Sequence, residues 1–182
     1  MDSAMYYIAV LAPEAINEQV LKWKHFMRDQ FGCIVALKSP AHITLITPFW
    51  MNEEKQTELE ESLANFSRLQ KRILVRIENF DAFKPLVIFV HVLPSEELSN
   101  LGYQLEQHLS TDPNFTIKRS TRPLNPHITI ANRDLKKADF TTAWQSFSNK
   151  KYSGLFEATG LTLMKHNGSQ WLAVYTGQFP LK

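Results

Sequence analysis

Apolar positions along the chain change their spacing in a regular succession. Tyr6 to Leu11 is a strand-like run closed by Pro13, and Ile16, Val20, Trp23 and Met27 then recur at helical spacing. Glu14 complements the positive end of that helix dipole, and Gly32 follows its last turn. Ile34 to Leu37 reads as a short strand, after which Ser39-Pro40 turns into a second one expected to end at Thr47-Pro48. Asn52 is the predicted N-cap of the next helix, with Glu53 and Glu54 behind it and Leu59, Leu63 and Phe66 as its stripe. Two β-rich runs, Ile73 to Phe83 and Leu86 to Leu93, flank Lys84-Pro85 and read as a hairpin.

The pattern then begins again. Val90 to Pro94 resembles Ala9 to Pro13, and each leads into a helix, the second carrying Leu98, Leu101, Leu105 and Leu109 with Ser95 as its cap. A strand near Phe115 to Lys118, a turn at Arg122-Pro123 and a further strand follow in the earlier order. Phe140, Ala143, Trp144 and Phe147 mark another helix face. Phe156 to Leu163 and Trp171 to Phe179 read as a closing hairpin with Asn167-Gly168 at its tip. Pro94 follows Pro13 by 81 positions, and His127 follows His42 by 85. We read one bilobal domain over 1–182, built from an internal repeat of 1–84 and 85–182. The element order predicts an α+β fold: two antiparallel sheets with outer helices, facing each other across a central cleft.

The two copies share one short motif. Ala41-His42-Ile43-Thr44-Leu45 and Pro126-His127-Ile128-Thr129-Ile130 are both His-x-Thr followed by Leu or Ile. On a strand, His42 and Thr44 face one way and Ile43 and Leu45 the other, and the second copy alternates alike. The aliphatic side belongs to a core, which leaves an imidazole and a hydroxyl on the cleft side twice over.

Composition narrows the partners. At 182 residues, with 44% hydrophobic and 21% charged positions, the chain is ordinarily globular. A net charge of +2 does not announce a nucleic-acid binder by itself. The single cysteine, Cys33, excludes an internal disulfide framework and fits a reducing compartment. Met1-Asp2-Ser3 lacks a basic leader, and no apolar run approaches the length of a membrane span, so a soluble, cytoplasmic protein is expected. A monomer is the expected state.

Two imidazoles and two hydroxyls define a limited chemistry. Zinc would want three or four ligands, and neither motif offers a neighbouring one at useful spacing. A Ser-His-Asp set would want a carboxylate beside an imidazole, and none is encoded near either motif. Paired general base and general acid catalysis suits two near-neutral imidazoles, each worth about 10²–10⁴-fold. Hydroxyl donors add hydrogen bonds to anionic phosphoryl oxygens. Around the motifs stand Lys38, Lys118, Arg119, Arg122 and Arg133 as candidate phosphate contacts, and Tyr7, Phe49 and Trp50 as rings able to stack on a base.

The duplicated His-x-Thr-[Leu/Ile] pattern resembles that of the 2H phosphoesterase superfamily, which includes 2'-5' RNA ligase-like proteins and 2',3'-cyclic phosphodiesterases. The resemblance covers essentially the whole chain. It implies a metal-free, cofactor-free enzyme that opens 2',3'-cyclic phosphates on RNA ends or nucleotides, in some members with the reverse 2'-5' ligation. His42 and His127 would be the acid-base pair, and Thr44 and Thr129 the phosphate-binding hydroxyls. Ala131-Asn132-Arg133 resembles the family's arginine after the second motif, and Ile46-Thr47-Pro48-Phe49 resembles only some branches. Two other readings stand beside it: a non-catalytic RNA-end-binding module, and an enzyme for a small cyclic-phosphate nucleotide metabolite.

Overall fold

Strand β1 (Ser3–Leu11) is buried on both faces from Tyr6 to Val10, and the sheet is built outward from it. The computed structural model describes residues 2–115, 117, 119 and 123–181. After β1 come α1 (Glu14–Phe31), β2 (His42–Asn52), α2 (Gln56–Arg68), β3 (Ile73–Phe83) and β4 (Val87–Val92). The chain continues through α3 (Glu96–Ser110), β5 (His127–Ala131), α4 (Phe140–Ser148), β6 (Ser153–Ala158), β7 (Gly160–His166) and β8 (Trp171–Gln178). The strands form one antiparallel sheet in the order β6-β3-β4-β5-β2-β1-β7-β8. It divides in the middle, because β2 and β5 share a single register pair, Ile43 with Ile128. The α+β architecture of two antiparallel halves with outer helices is therefore present, and the halves meet at that one junction.

Side-chain alternation sorts the two faces. Tyr6, Ile8 and Val10 of β1, Ile43 of β2, Val90 of β4 and Ile128 and Ile130 of β5 join helix residues such as Val20, Met27, Leu63 and Leu105 in the main core. Removing each such aliphatic chain from water contributes about 1.5–3 kcal/mol. On the opposite face Tyr7, Ala9 and Met164 form a second, smaller cluster flanked by Leu11 and Trp171.

The helices cross between halves. α2 packs on β7 and β8 and α3 on β2, whereas α1 packs on β5 and α4 on β3. α1 thus leaves the β1 half and covers the β4 half, where Trp23 meets Phe80 and Tyr152 edge-on at 4.8 Å each. α3 makes the reciprocal crossing.

Four sequence expectations change. The run expected as a strand from Ile34 to Leu37 is a 3₁₀ turn, Val35–Lys38, because the Ile34 and Val35 amides donate to Asp134 Oδ2 at 2.6 and 2.8 Å rather than to a strand. Strand β2 does not end at Thr47-Pro48. Its register to β1 steps from Ile46↔Ile8 to Phe49↔Tyr6, so Thr47 and Pro48 form a bulge where proline's missing N–H is not needed. Phe115 and Ile117 are buried in irregular backbone rather than a strand, and Thr116 and Lys118 lie outside the described residues. The run from Phe156 to Leu163 is two strands, β6 pairing with β3 and β7 with β1 and β8. Gly160 sits at that switch, where a Cβ would lie 2.5 Å from the Gly177 carbonyl oxygen. Ser95 accepts from the Leu98 amide as expected and Asn167 Oδ1 closes the β7–β8 turn, while Asn52, accepting from the Glu54 amide, caps the 3₁₀ turn Glu53–Lys55 that leads into α2.

Candidate active site

Each His-x-Thr segment opens a strand, so its histidine stands just after a turn whose carbonyls are free to hold the ring. His42 Nδ1 lies 2.8 Å from the Pro40 carbonyl oxygen, and His127 Nδ1 lies 2.8 Å from that of Asn125. A carbonyl only accepts, so both rings carry their proton on Nδ1 and keep the Nε2 lone pair for other work. In both copies the histidine and threonine are partly exposed and the isoleucine between them is buried.

The junction of the halves sets the mutual geometry. With Ile43 opposite Ile128, stepping one residue either way places His42 opposite Thr129 and Thr44 opposite His127. Such cross-strand neighbours are roughly 5 Å apart and the two-histidine diagonal roughly 7 Å. All four side chains leave the sheet on the side away from Ile43 and Ile128. On β4, His91 pairs in register with His127 and Phe89 with Thr129, so both share that face.

The rings around the histidines differ. Tyr7 packs on His42 at 4.9 Å, and Trp171 meets Tyr7 edge-on at 4.5 Å. Phe83 and Phe89 each lie 5.0 Å from His127. Burial pushes His42 down to about 4, the Pro40 contact opposes it, and the charges of Lys24 and His127 add to it. Burial also lowers His127, against the Asn125 contact. The Tyr7 hydroxyl is buried, near the Ser39 side chain but without a hydrogen-bond partner among the described residues, and desolvation holds it above the usual phenol range.

Beyond Ile43 and Ile128 the strands diverge and leave a groove of about 790 Å³. Thr44 and His127 line one end, and Asn100, Tyr103, Gln107 and Arg119 line its α3 side. Among the expected phosphate contacts, Arg119 reaches this groove, with its Nε donating to Ser110 Oγ at 2.8 Å. Lys38 is exposed at the end of the 3₁₀ turn, and Arg133 is exposed just past β5 at φ 31°. Neither lines the groove, and Lys118 and Arg122 lie outside the described residues. Phe49, expected to stack on a base, lies instead in the main core against Tyr6, its register partner on β1. Trp50 is exposed but sits at the far end of β2. The sequence reading passed over Lys24 and Asn17, which reach the turn before His42, and set His91 aside. A lysine within the apolar stripe of α1 was the available signal for the first.

Among the described residues no group of three or more His, Cys, Asp or Glu side chains is placed to hold a metal ion, and no helix is long and apolar enough to cross a membrane.

Two histidines from two sheet halves, each held by a carbonyl and each followed by a threonine on the same face, form a paired set of imidazoles and hydroxyls. The family model described as the 2'-5' RNA ligase superfamily matches residues 12–170. The chain belongs to this superfamily of 2H phosphoesterases. A protein of Geobacillus sp. (strain WCH70), named "Putative phosphoesterase", is 30% identical over 141 residues, covering 76% of this chain and 75% of that one. A Bacillus pumilus (strain SAFR-032) protein of the same name is 30% identical over 97 residues, which span 52% of this chain and about half, 53%, of the relative. The crystal structure of Escherichia coli LigT complexed with 3'-AMP has the same fold, with a TM-score of 0.72 at 17% identity over 99% of this chain and 100% of that one.

Proposed function

We propose that this protein opens 2',3'-cyclic phosphates on RNA ends or nucleotides, with His42 and His127 as the acid-base pair and Thr44 and Thr129 binding the phosphoryl oxygens. The observation that carries this reading is the junction register, which sets His42 by Thr129 and Thr44 by His127 on one face. In the reaction water attacks phosphorus and gives a proton to one neutral Nε2. The bond from phosphorus to the 2' or 3' oxygen breaks, and the other ring, as imidazolium, gives that oxygen its proton. Hydroxyl donors on both sides offset charge on the non-bridging oxygens. A 5'-hydroxyl in place of water, with the same two proton transfers, would give 2'-5' ligation.

Several features support a nucleotide substrate. The groove running from Thr44 and His127 along α3 has the volume for a nucleoside, and Tyr103 and Arg119 offer it a ring face and a cation. Structures of LigT, which shares the fold, are described as complexes with 3'-AMP, ATP and NADP+. The test is turnover of 2',3'-cyclic mononucleotides and of oligonucleotides ending in a cyclic phosphate, followed by phosphorus NMR. A ring-opened monophosphate is the expected product. Tight binding of such ends without any turnover would overturn the reading in favour of an RNA-end-binding module.

A further inference from the structure

Lys24 interrupts the apolar stripe of α1 between Val20 and Met27 and is only 3% exposed. A lysine so deeply buried is rare and costs stability unless it is partnered. Its Nζ donates to the Ser39 carbonyl at 2.8 Å, and among the described residues no carboxylate pairs with it. Burial pushes its ammonium down to about 8, so it still carries its charge at neutral pH.

Asn17 lies seven residues earlier, two turns back on the same face of α1. Its Oδ1 accepts the Ala41 amide at 2.7 Å, while the Ala12 amide donates to the Ala41 carbonyl at 2.9 Å. The turn before His42 is thus gripped at Ser39 and on both sides of Ala41. The Pro40 carbonyl, held between these points, is the one that meets His42 Nδ1.

We infer that Lys24 and Asn17 are positioning residues that, by gripping the turn from α1, fix the tautomer of His42 and make it the proton acceptor of the pair. This rests on the cyclic-phosphate reading above. A fixed positive charge close to a buried imidazole disfavours a second positive charge there. The groups facing His42 are Lys24 from α1, the neutral Tyr7 phenol from β1, and His127 and Thr129 from β5. Among the described residues His127 faces Phe83, Phe89, Thr44 and His91, and Arg119, the cation that shares its groove, gives its Nε to Ser110. In ring opening, His42 Nε2 therefore takes the water proton while His127 gives its proton to the leaving oxygen.

The experiment uses the full chain, wild type and the variants K24M, K24R and N17A, with nitrogen-15 NMR of the imidazoles alongside kinetics. Met keeps the stem of Lys24 in place and removes only the charge and the donor. In the wild type His42 is expected to be the Nδ1–H tautomer and neutral down to about pH 5. K24M should move the His42 midpoint, and the acid limb of kcat/KM, upward by roughly one pH unit, because the opposing charge is gone. kcat should fall about tenfold with KM little changed, and K24R should recover most of it. N17A should mix the two tautomers without moving the midpoint as far. A K24M protein with unchanged His42 midpoint and tautomer, even with a lower Tm, would overturn the inference and leave Lys24 a packing residue. The NMR results need no substrate: the expected shift in a protein inert towards cyclic phosphates would sink the proposed function and keep the positioning role.

Discussion

The two histidines are held by the same local device and live in different surroundings. Each ring gives its Nδ1 proton to the carbonyl two residues earlier, at the same 2.8 Å. His42 then has a lysine and an asparagine of α1 gripping its turn and a tyrosine against its face. His127 has two phenylalanines against it and a wide groove in front. The motif supplies the local geometry twice over, and non-local neighbours make the two settings unequal. Acid-base catalysis by two rings needs one of them neutral while the other is charged.

The largest effects should come from removing either ring. H42A and H127A should each lower turnover at least about a hundredfold with the fold intact, and the double variant should lose less than the product. Near-normal turnover in one of them would break the pairing. T44V and T129V come next, at about ten- to a hundredfold each in kcat/KM, from a lost hydrogen bond to a charged oxygen worth about 1.5–3 kcal/mol. Unequal losses would show which side of the junction holds the phosphate more firmly.

Lys24 sharpens the contrast through stability. Its folded-state pKa lies below the unfolded one, so its charge penalises folding fully below about pH 8. That penalty is relieved as pH rises from about 8 towards 10.5. Denaturant titrations of wild type and K24M at neutral and high pH should therefore differ by a term of about 3 kcal/mol that closes as the lysine deprotonates. A constant difference would mean the ammonium is not strained by burial.

Smaller still is the salt effect at Arg119. With a cyclic-phosphate-ended oligonucleotide, log binding constant should fall with log salt by about 0.7 per phosphate contact, more steeply than for the mononucleotide. R119E should flatten the oligonucleotide slope by about one contact. Equal slopes for both substrates would favour a small nucleotide metabolite. Exhaustive chelation is expected to change nothing, and restoration of lost activity by added zinc, manganese or magnesium would mean that the acid-base description lacks its main component.

Much of this was legible from local pattern. Alternation placed His42 and Thr44 on one face and Ile43 on the other, and the side chain of Ser95 announced its cap. What escaped depended on contacts distant in sequence. A four-residue apolar run such as Ile34 to Leu37 has too little period to separate strand from turn, and a carboxylate about a hundred residues away decided it. Pro48 ends most strands, but a bulge opposite Tyr7 absorbs it. The adjacency of β2 and β5 is a single pairing between residues 85 positions apart, which no local signal encodes. Lys24 was visible as an oddity on an apolar stripe, although its partner at Ser39 was not.

The strand order also carries a consequence for synthesis. The β4 half consists of strands that leave the ribosome consecutively apart from their helices: β3, β4, β5 and β6. The β1 half joins β1 and β2 to β7 and β8, so the earliest strand waits for nearly the latest before its second edge is paired. Until then β1 offers the alternating apolar row of Tyr6, Ile8 and Val10 with an open hydrogen-bonding edge, the condition under which nascent chains stick to one another. A pause in translation ahead of β7 would therefore prolong the most vulnerable stage in the life of the molecule, with the β4 half complete in sequence and His42 still on an unfinished wall.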